Sequence, residues 1–343
     1  MERTLVIRNP ACSHAEKVQH DVLNVLHDEL PPANLTELWT PSANRAETIE
    51  AIAAVIQPGD RIIVAAGDGT GNAVANAYIS AKAEGSRIAF LPYGNFNDMA
   101  STFTSKAARK NPLLLLHSSA ETVQVRPLSV SKNGEQFSYA MLYATVGWTA
   151  LAAAMFDTSV TRQALQSGQA TLTNSLRDIA RMYFKTRSSA FLPPFYRDGD
   201  ENLHEHTTDI VSINGPVMAR IIKSQERFYA QQQFLRTDLD VSRLSRNVPF
   251  LGKSALNFVL GSNFKLPGAR IVEDSLRFSS AELPVQLDGE FTLLPDVANL
   301  RLSKDQRVSA PTISIIKTKN KESSLPRFGL VIGKKHIAHP LTL

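Results

Sequence analysis

Residues 61–76 read RIIVAAGDGTGNAVAN. The run Arg61-Ile62-Ile63-Val64-Ala65 has the β-branched character of a buried strand, and the alanine-rich stretch after it predicts a helix over about Thr70 to Lys82. Between them stand Gly67, Asp68, Gly69 and Thr70. A strand that runs into a helix through such a turn is the building unit of a parallel α/β sheet. Backbone N–H groups at the helix start would face an anion there, and the glycines would let the backbone approach it closely, which suits phosphate. A tight strand-to-helix turn can also need glycine for geometry alone, so the turn decides the fold and leaves its ligand open.

The same alternation extends on both sides. Thr4 to Arg8 is a β-rich run broken by Asn9-Pro10, and Val18, Val22, Val25 and Leu26 then recur at helical spacing. Leu35 to Thr40 is the next strand candidate, and Ala46, Ile49, Ile52, Ala53 and Ile56 form a second apolar helical face. Arg87 to Leu91 gives a fourth strand, ended by Pro92-Tyr93-Gly94. This order predicts an α/β domain with a parallel sheet over residues 1–125. Ligands of such sheets gather beyond the carboxyl ends of the strands, where the turns at Gly67 and Gly94 both fall.

From about Arg126 short β-like runs dominate: Ser129-Val130, Tyr139 to Thr145, Asp209 to Asn214, Leu239 to Leu244, Arg270 to Phe278 and Pro284 to Leu287. They predict a mostly antiparallel second domain over 126–310, with one helix at Leu172 to Phe184 and an exposed loop at Pro193 to His206. Residues 311–343 are expected to form a C-terminal tail that packs back on the first domain, with Lys317 to Ser324 as a mobile connection.

The chain has 343 residues, 43% of them hydrophobic and 20% charged, with a net charge of +5. Cys12 is the only cysteine, so an intramolecular disulfide is excluded and a reducing compartment is expected. Its longest apolar stretches, such as Pro112 to Leu116 and Thr149 to Phe156, are well short of the roughly 18 residues a membrane span needs. The basic surplus suits an anionic partner, but no RNP signature, zinc-finger spacing or arginine-rich arm is present, so nucleic acid is not an expected partner. A dinucleotide fingerprint would need glycine where Asn72 stands, and the P-loop-like Gly252-Lys253-Ser254 lacks its upstream glycine because Asn247 is there. His204, Glu205 and His206 are adjacent in a polar stretch and read as solvated residues rather than metal ligands. No third group completes a nucleophile around Cys12 and His14. Leu113 to Leu116 reads as core or the wall of a lipid cleft.

Gly67-Asp68-Gly69-Thr70 after a buried strand, Pro92 to Ala100 (PYGNFNDMA) and Gln286 to Glu290 (QLDGE) together resemble the diacylglycerol-kinase catalytic family, whose pattern is GGDGT, then GTxND, then a late DGE. Sphingosine kinases, ceramide kinases and bacterial lipid kinases are relatives. The order and spacing agree, as does the opening strand ending at Asn9-Pro10. The resemblance implies ATP bound between an α/β kinase domain and a β-sandwich. Gly67, Asp68, Gly69 and Thr70 would cradle the phosphates, Asn9 and Thr40 would approach the nucleotide, and Gly94, Asn97 and Asp98 would line the cleft. Asp288 and Glu290 would reach in from the second domain, Asp288 as the preferred base and Glu290 assisting or binding Mg²⁺, assignments that can be exchanged. Asp68 would serve a phosphate or metal role.

The chain also departs from the family pattern. Ala66 replaces the first glycine of GGDGT, Ala73 an acidic residue usual after it, and Asn95 the threonine of GTxND. No glycine follows Asn9-Pro10, and Arg236-Thr237-Asp238-Leu239-Asp240-Val241 lacks the Asp-Gly pair of the family's DGxLDV, around which some bacterial members build a structural metal site. The expectation is a divergent, cytoplasmic lipid kinase that uses ATP and Mg²⁺, contacts membranes peripherally, and phosphorylates a hydroxyl of a diacylglycerol-like or sphingoid lipid. A homodimer stays open. NAD kinases share the GGDGT turn, so an NAD kinase-like phosphotransferase is one alternative; a nucleotide- or lipid-binding protein with little or no turnover is another.

Overall fold

The computed structural model describes residues 2–12, 14–41, 44–95, 97–116, 121–156, 192–218, 222–223, 227–240, 268–279, 281–305 and 311–318. The helix expected at Leu172 to Phe184 and the stretch after Lys317-Thr318 lie outside them.

The first sheet runs in the order β2 (Leu35–Trp39), β1 (Thr4–Arg8), β3 (Arg61–Ala66), β4 (Arg87–Pro92), β20 (Ile313–Lys317), β5 (Glu121–Val125). The four N-terminal strands are mutually parallel, whereas β5 pairs antiparallel with β20. All five residues of β1 and all six of β3 are buried, as expected for central strands covered on both faces. Residues 15–29 cover one face as α1 (Ala15–Val18), a π-helical turn and α2 (Val25–Glu29), burying Val18, Val22, Leu23 and Leu26 against Val6, Ile63 and Ala89. On the other face, α3 (Arg45–Val55) and α4 (Asp68–Ser80) pack on Leu5, Ile7, Ile62, Val64 and Ile88. Two short helices, α5 (Asp98–Phe103) and α6 (Lys106–Lys110), follow β4, and the Leu113 to Leu116 run packs into the first core.

The second domain is a sandwich of two antiparallel sheets. One has the order β10 (Asp200–His204), β9 (Phe195–Arg197), β16 (Glu273–Phe278), β19 (Asn299–Ser303), β6 (Leu128–Lys132), β7 (Glu135–Ala140). The other runs β15 (Ala269–Ile271), β14 (Phe234–Asp240), β11 (Thr207–Ile213), β8 (Tyr143–Gly147), β17 (Leu283–Leu287), β18 (Glu290–Leu294). Leu128, Val130, Phe195, Leu276 and Leu300 of the first interleave with Ala144, Val146, Ile210, Phe234 and Val285 of the second. A two-residue ladder, β12 (Val217–Met218) with β13 (Ile222–Lys223), and helix α7 (Trp148–Phe156) complete it. Tyr143, Val211 and Ile213 join the core cluster of the first domain, so the second sheet is packed on α4 and α5 rather than linked by a loose tether.

Four expectations change. The loop expected at Pro193 to His206 contains the hairpin β9–β10, with Phe195 buried in the sandwich and Gly199 at φ +80 in its turn. The Asp198-Gly199 pair is the turn signal that marks it. Tyr139 to Thr145 is two strands in different sheets, broken at Met141-Leu142, and Arg270 to Phe278 likewise changes sheet at Val272. A sandwich core is closed by such crossings, which a single run of β-formers does not reveal. Leu239 belongs to a strand that starts earlier, at Phe234; the rest of the expected run, Val241 to Leu244, lies outside the described residues.

Candidate functional site

Three backbone turns meet at the carboxyl edge of the first sheet, and a pair of glycines makes the contact between two of them feasible. A Cβ on Gly67 would lie 3.3 Å from the Cα of Gly94, and a Cβ on Gly94 would run into Gly67 Cα. These glycines therefore let the loops after β3 and β4 touch backbone to backbone. Asn97 pins the second loop from a left-handed conformation at φ +56: its Oδ1 accepts from Gly94 N at 2.7 Å and its Nδ2 donates to Gly94 O at 2.6 Å.

Because the Asn97 side chain is used this way, the start of α5 is capped by Asp68. The Asp68 oxygens accept from the N–H groups of Asp98 and Met99, each at 2.9 Å. Burial pushes the Asp68 carboxyl up to about 6; the Met99 and Asp98 N–H groups act against burial, and the charge of Asp288 adds to it. Asp98 itself is fully buried, and the hydroxyl of Tyr143 donates to its carboxylate. Asn9 secures the other side of the turn, donating from Nδ2 to Thr70 Oγ1 at 2.9 Å while Ala11 N donates to its Oδ1 at 2.8 Å. Thr40 is buried with its hydroxyl lacking a hydrogen-bond partner among the described residues.

The second domain delivers its carboxylates on a two-residue hairpin. Leu287 pairs with Glu290, and the intervening Asp288 and Gly289 take φ +50 and +93, the backbone that an Asp-Gly turn favours. Asp288 is fully buried. Its carboxylate accepts from Met141 N at 2.5 Å, Leu142 N at 2.7 Å, Tyr143 N at 3.0 Å and Asn72 Nδ2 at 2.8 Å. These bonds take up the amides freed where the chain leaves β7 for β8, and they tie the hairpin to α4. Burial raises the Asp288 pKa against those donors. Glu290, by contrast, is only half-buried. Its Oε2 would lie 2.5 Å from a Cβ on Gly69, so the carboxylate stands against the first turn of α4, which begins at Asp68 with Gly67 as N-cap.

Contacts link Asn9 to Thr70, Gly67 to Gly94, Asn97 to Gly94, Asp68 to the N–H groups of Asp98 and Met99, Asp288 to α4 through Asn72, and Glu290 to Gly69. Asp68, Asn97, Asp98 and Asp288 are engaged in holding the loops, Gly69, Thr70 and Glu290 lie at the helix start, and Thr40 is joined to the end of β1 by its N–H bond to Arg8 O. Sequence reasoning missed Asn72, Tyr143 and Arg45. Asn72 lies one turn beyond Gly69 on the same face of α4 and donates to both Asp288 and Tyr139 O. Its spacing from Gly69 was the available signal. Tyr143 and Arg45 carry none, since their positions depend on the packing of the second domain.

The comparisons follow this geometry. Residues 3–128 match the family model for the diacylglycerol kinase catalytic domain. The match spans the first domain, whose likeness is to a kinase catalytic domain. Among solved structures, a diacylglycerol kinase from Bacillus anthracis str. Sterne is similar at 15% identity with a TM-score of 0.54, covering 92% of this chain and 97% of that one. A candidate diacylglycerol kinase from the same organism is similar at 16% identity and TM-score 0.61, with the same coverage. At such identity the likeness speaks for the two-domain fold across both halves. A search of curated protein sequences gives no match. Among the described residues, no helix is long and apolar enough to cross a membrane.

The chemistry of the donors fits Mg²⁺ and nucleotide phosphate. Mg²⁺ keeps most of its water and binds largely through phosphate oxygens with one or two carboxylates, so a hydrated ion on the phosphates would meet Glu290 at the helix start. At His204, Nε2 pairs with Asp200 and the ring stacks on Phe195, which accounts for it without a metal.

Proposed function

We propose that this protein is an ATP- and Mg²⁺-dependent lipid kinase that transfers the γ-phosphate to a hydroxyl of a diacylglycerol-like or sphingoid lipid. The observation that carries this reading is the placement of Glu290 from the second domain against the first turn of α4 in a kinase-type first domain. Free N–H groups and the positive end of α4 favour the phosphates, and Gly69 leaves room for them. Thr40 offers a buried hydroxyl with its hydrogen-bonding capacity unused among the described residues.

Phosphoryl transfer demands alignment, charge neutralisation and a proton acceptor. Asp288 was the preferred base from sequence, but its burial and four donors suit it to positioning. We therefore assign the base to Glu290, half-buried at the cleft. The acceptor hydroxyl gives its proton to the Glu290 carboxylate while its oxygen bonds to the γ-phosphorus, and the bond to the β-phosphate oxygen breaks to release ADP. Mg²⁺, when bound near Glu290, supplies charge neutralisation on the phosphates. Asp288 and Asn72 keep the hairpin in register, and Asp68 holds the α5 loop. The lipid is met by peripheral contact with a membrane from the cytoplasmic side, aided by the basic surplus.

The test is transfer of labelled γ-phosphate from ATP with Mg²⁺ onto detergent-dispersed diacylglycerol, monoacylglycerol, phosphatidylglycerol, sphingosine and ceramide, with NAD⁺ alongside. A labelled lipid supports the reading and names the acceptor. Label on NAD⁺ instead would replace it with a nucleotide acceptor, and ATP binding without any labelled product would make the chain a binding protein.

A further inference from the structure

We propose that Arg45 is the phosphate-binding cation of the cleft, its guanidinium taking phosphoryl oxygens of the nucleotide beside Glu290. The proposal rests on the nucleotide-dependent reading above and deepens it. Arg45 opens α3, shortly after the chain leaves β2 at Thr40, and so lies at the carboxyl edge of the first sheet where the other loops converge. Its Nη2 donates to Asn72 Oδ1 at 2.7 Å and to Ser138 Oγ at 2.6 Å. Asn72 shares a face of α4 with Gly69, and Gly69 is the residue against which Glu290 stands. Arg45 and Glu290 therefore flank the same first turns of α4 from the two domains.

The state of the guanidinium points to a ligand. One of its nitrogens is fixed by two neutral oxygens, while its Nε is buried with no hydrogen-bond partner among the described residues. No described carboxylate pairs with it at ion-pair distance. Arg3, Arg8, Arg61 and Arg87 in the same domain each do have such a partner: Asp60, Glu37, Glu2 and Glu2. Burial disfavours the Arg45 charge more than the nearby Glu290 and Asp288 favour it. A half-buried cation held by neutral oxygens, whose neighbouring carboxylates do not offset its burial, is stabilised further when an anion arrives. The planar fork with donors to spare matches the oxygens of a phosphoryl group, and transfer chemistry requires positive charge where this one stands.

The competing role is a structural tie, because Ser138 belongs to β7 of the second domain. Calorimetric titration of ATP, ADP and adenosine, with Mg²⁺, separates the two in wild type, Arg45→Ala, Arg45→Lys and Ser138→Ala. Removing a charge-assisted phosphate contact should weaken ATP about 30-fold in Arg45→Ala and leave adenosine unchanged. Arg45→Lys keeps the charge without the fork and should fall between; it also keeps the test alive if the alanine variant does not fold. Ser138→Ala cuts the tie and spares the cation, and should stay within about threefold for all three ligands. Equal losses in Arg45→Ala and Ser138→Ala, or adenosine weakened as much as ATP, would overturn the proposal, as would a wild type that binds ATP no better than adenosine. Because binding is measured without turnover, a wild type that binds ATP in an Arg45-dependent way but phosphorylates no acceptor would end the kinase reading and leave this one standing.

Discussion

Gly69→Ala separates function from folding at a single atom. The new Cβ would stand 2.5 Å from Glu290 Oε2, whereas ordinary van der Waals contact begins at 3.4 Å, so the carboxylate must withdraw by about 0.9 Å. The obstructing group is the far end of a flexible side chain, and Gly69 lies within α4, where alanine is preferred over glycine by roughly 0.5–1 kcal/mol. The substitution should therefore leave Tm unchanged or slightly higher. A displacement of about 1 Å at a group that must meet the acceptor hydroxyl costs on the order of 100-fold in rate. Gly94→Ala is the matched control, since its Cβ meets the backbone of Gly67, which cannot step aside. Overpacking of that kind costs about 1–3 kcal/mol and should lower Tm by several degrees. The assay is phosphotransfer rate beside a thermal melt for both variants. Full turnover in folded Gly69→Ala, or a loss of stability as large as that of Gly94→Ala, would refute the placement of Glu290.

Two further outcomes follow from the buried carboxylates. Asp288→Asn replaces one acceptor oxygen with a donor facing backbone N–H groups, so denaturant unfolding should show a loss of about 2–4 kcal/mol, and an unchanged midpoint would deny Asp288 its positioning role. Asp209 accepts from Thr149 N at the start of α7, and burial pushes its carboxyl up from 3.8 to about 6. A raised carboxyl favours the protonated fold, so its contribution is complete below pH 3.8 and is lost as pH rises through about 6, a change of about 3 kcal/mol. Asp209→Asn keeps an acceptor oxygen but cannot ionise; the stability difference between variant and wild type should grow over that window and then level off. A difference independent of pH would show that folding does not raise the Asp209 carboxyl.

The parallel sheet was legible because its strands are buried on both faces and therefore read as continuous apolar runs, with glycine turns marking their carboxyl ends. The Asp-Gly hairpin at Asp288 was legible for a local reason too, as two positive φ values suit those residues. What the sequence concealed depends on contacts between distant elements. Nothing near Asp68 in the chain announces that it caps α5, since that duty falls to it only because Asn97 is occupied by Gly94. The break at Met141-Leu142 is equally hidden, because its exposed amides are satisfied by a carboxylate more than a hundred residues away. The second domain also shows how a departure from family pattern is absorbed: Arg236, in place of an acidic residue, pairs with Asp274, which Arg197 also approaches, so two guanidinium groups supply positive charge among these acids.

The most direct test of the account is the single-turnover rate of γ-phosphate transfer to the preferred lipid in Glu290→Gln and wild type, with ATP affinity measured for both. The substitution keeps the shape and removes the base. The account predicts loss of transfer by at least about 100-fold with the fold intact and ATP still bound. Transfer at the wild-type rate in that variant would contradict it.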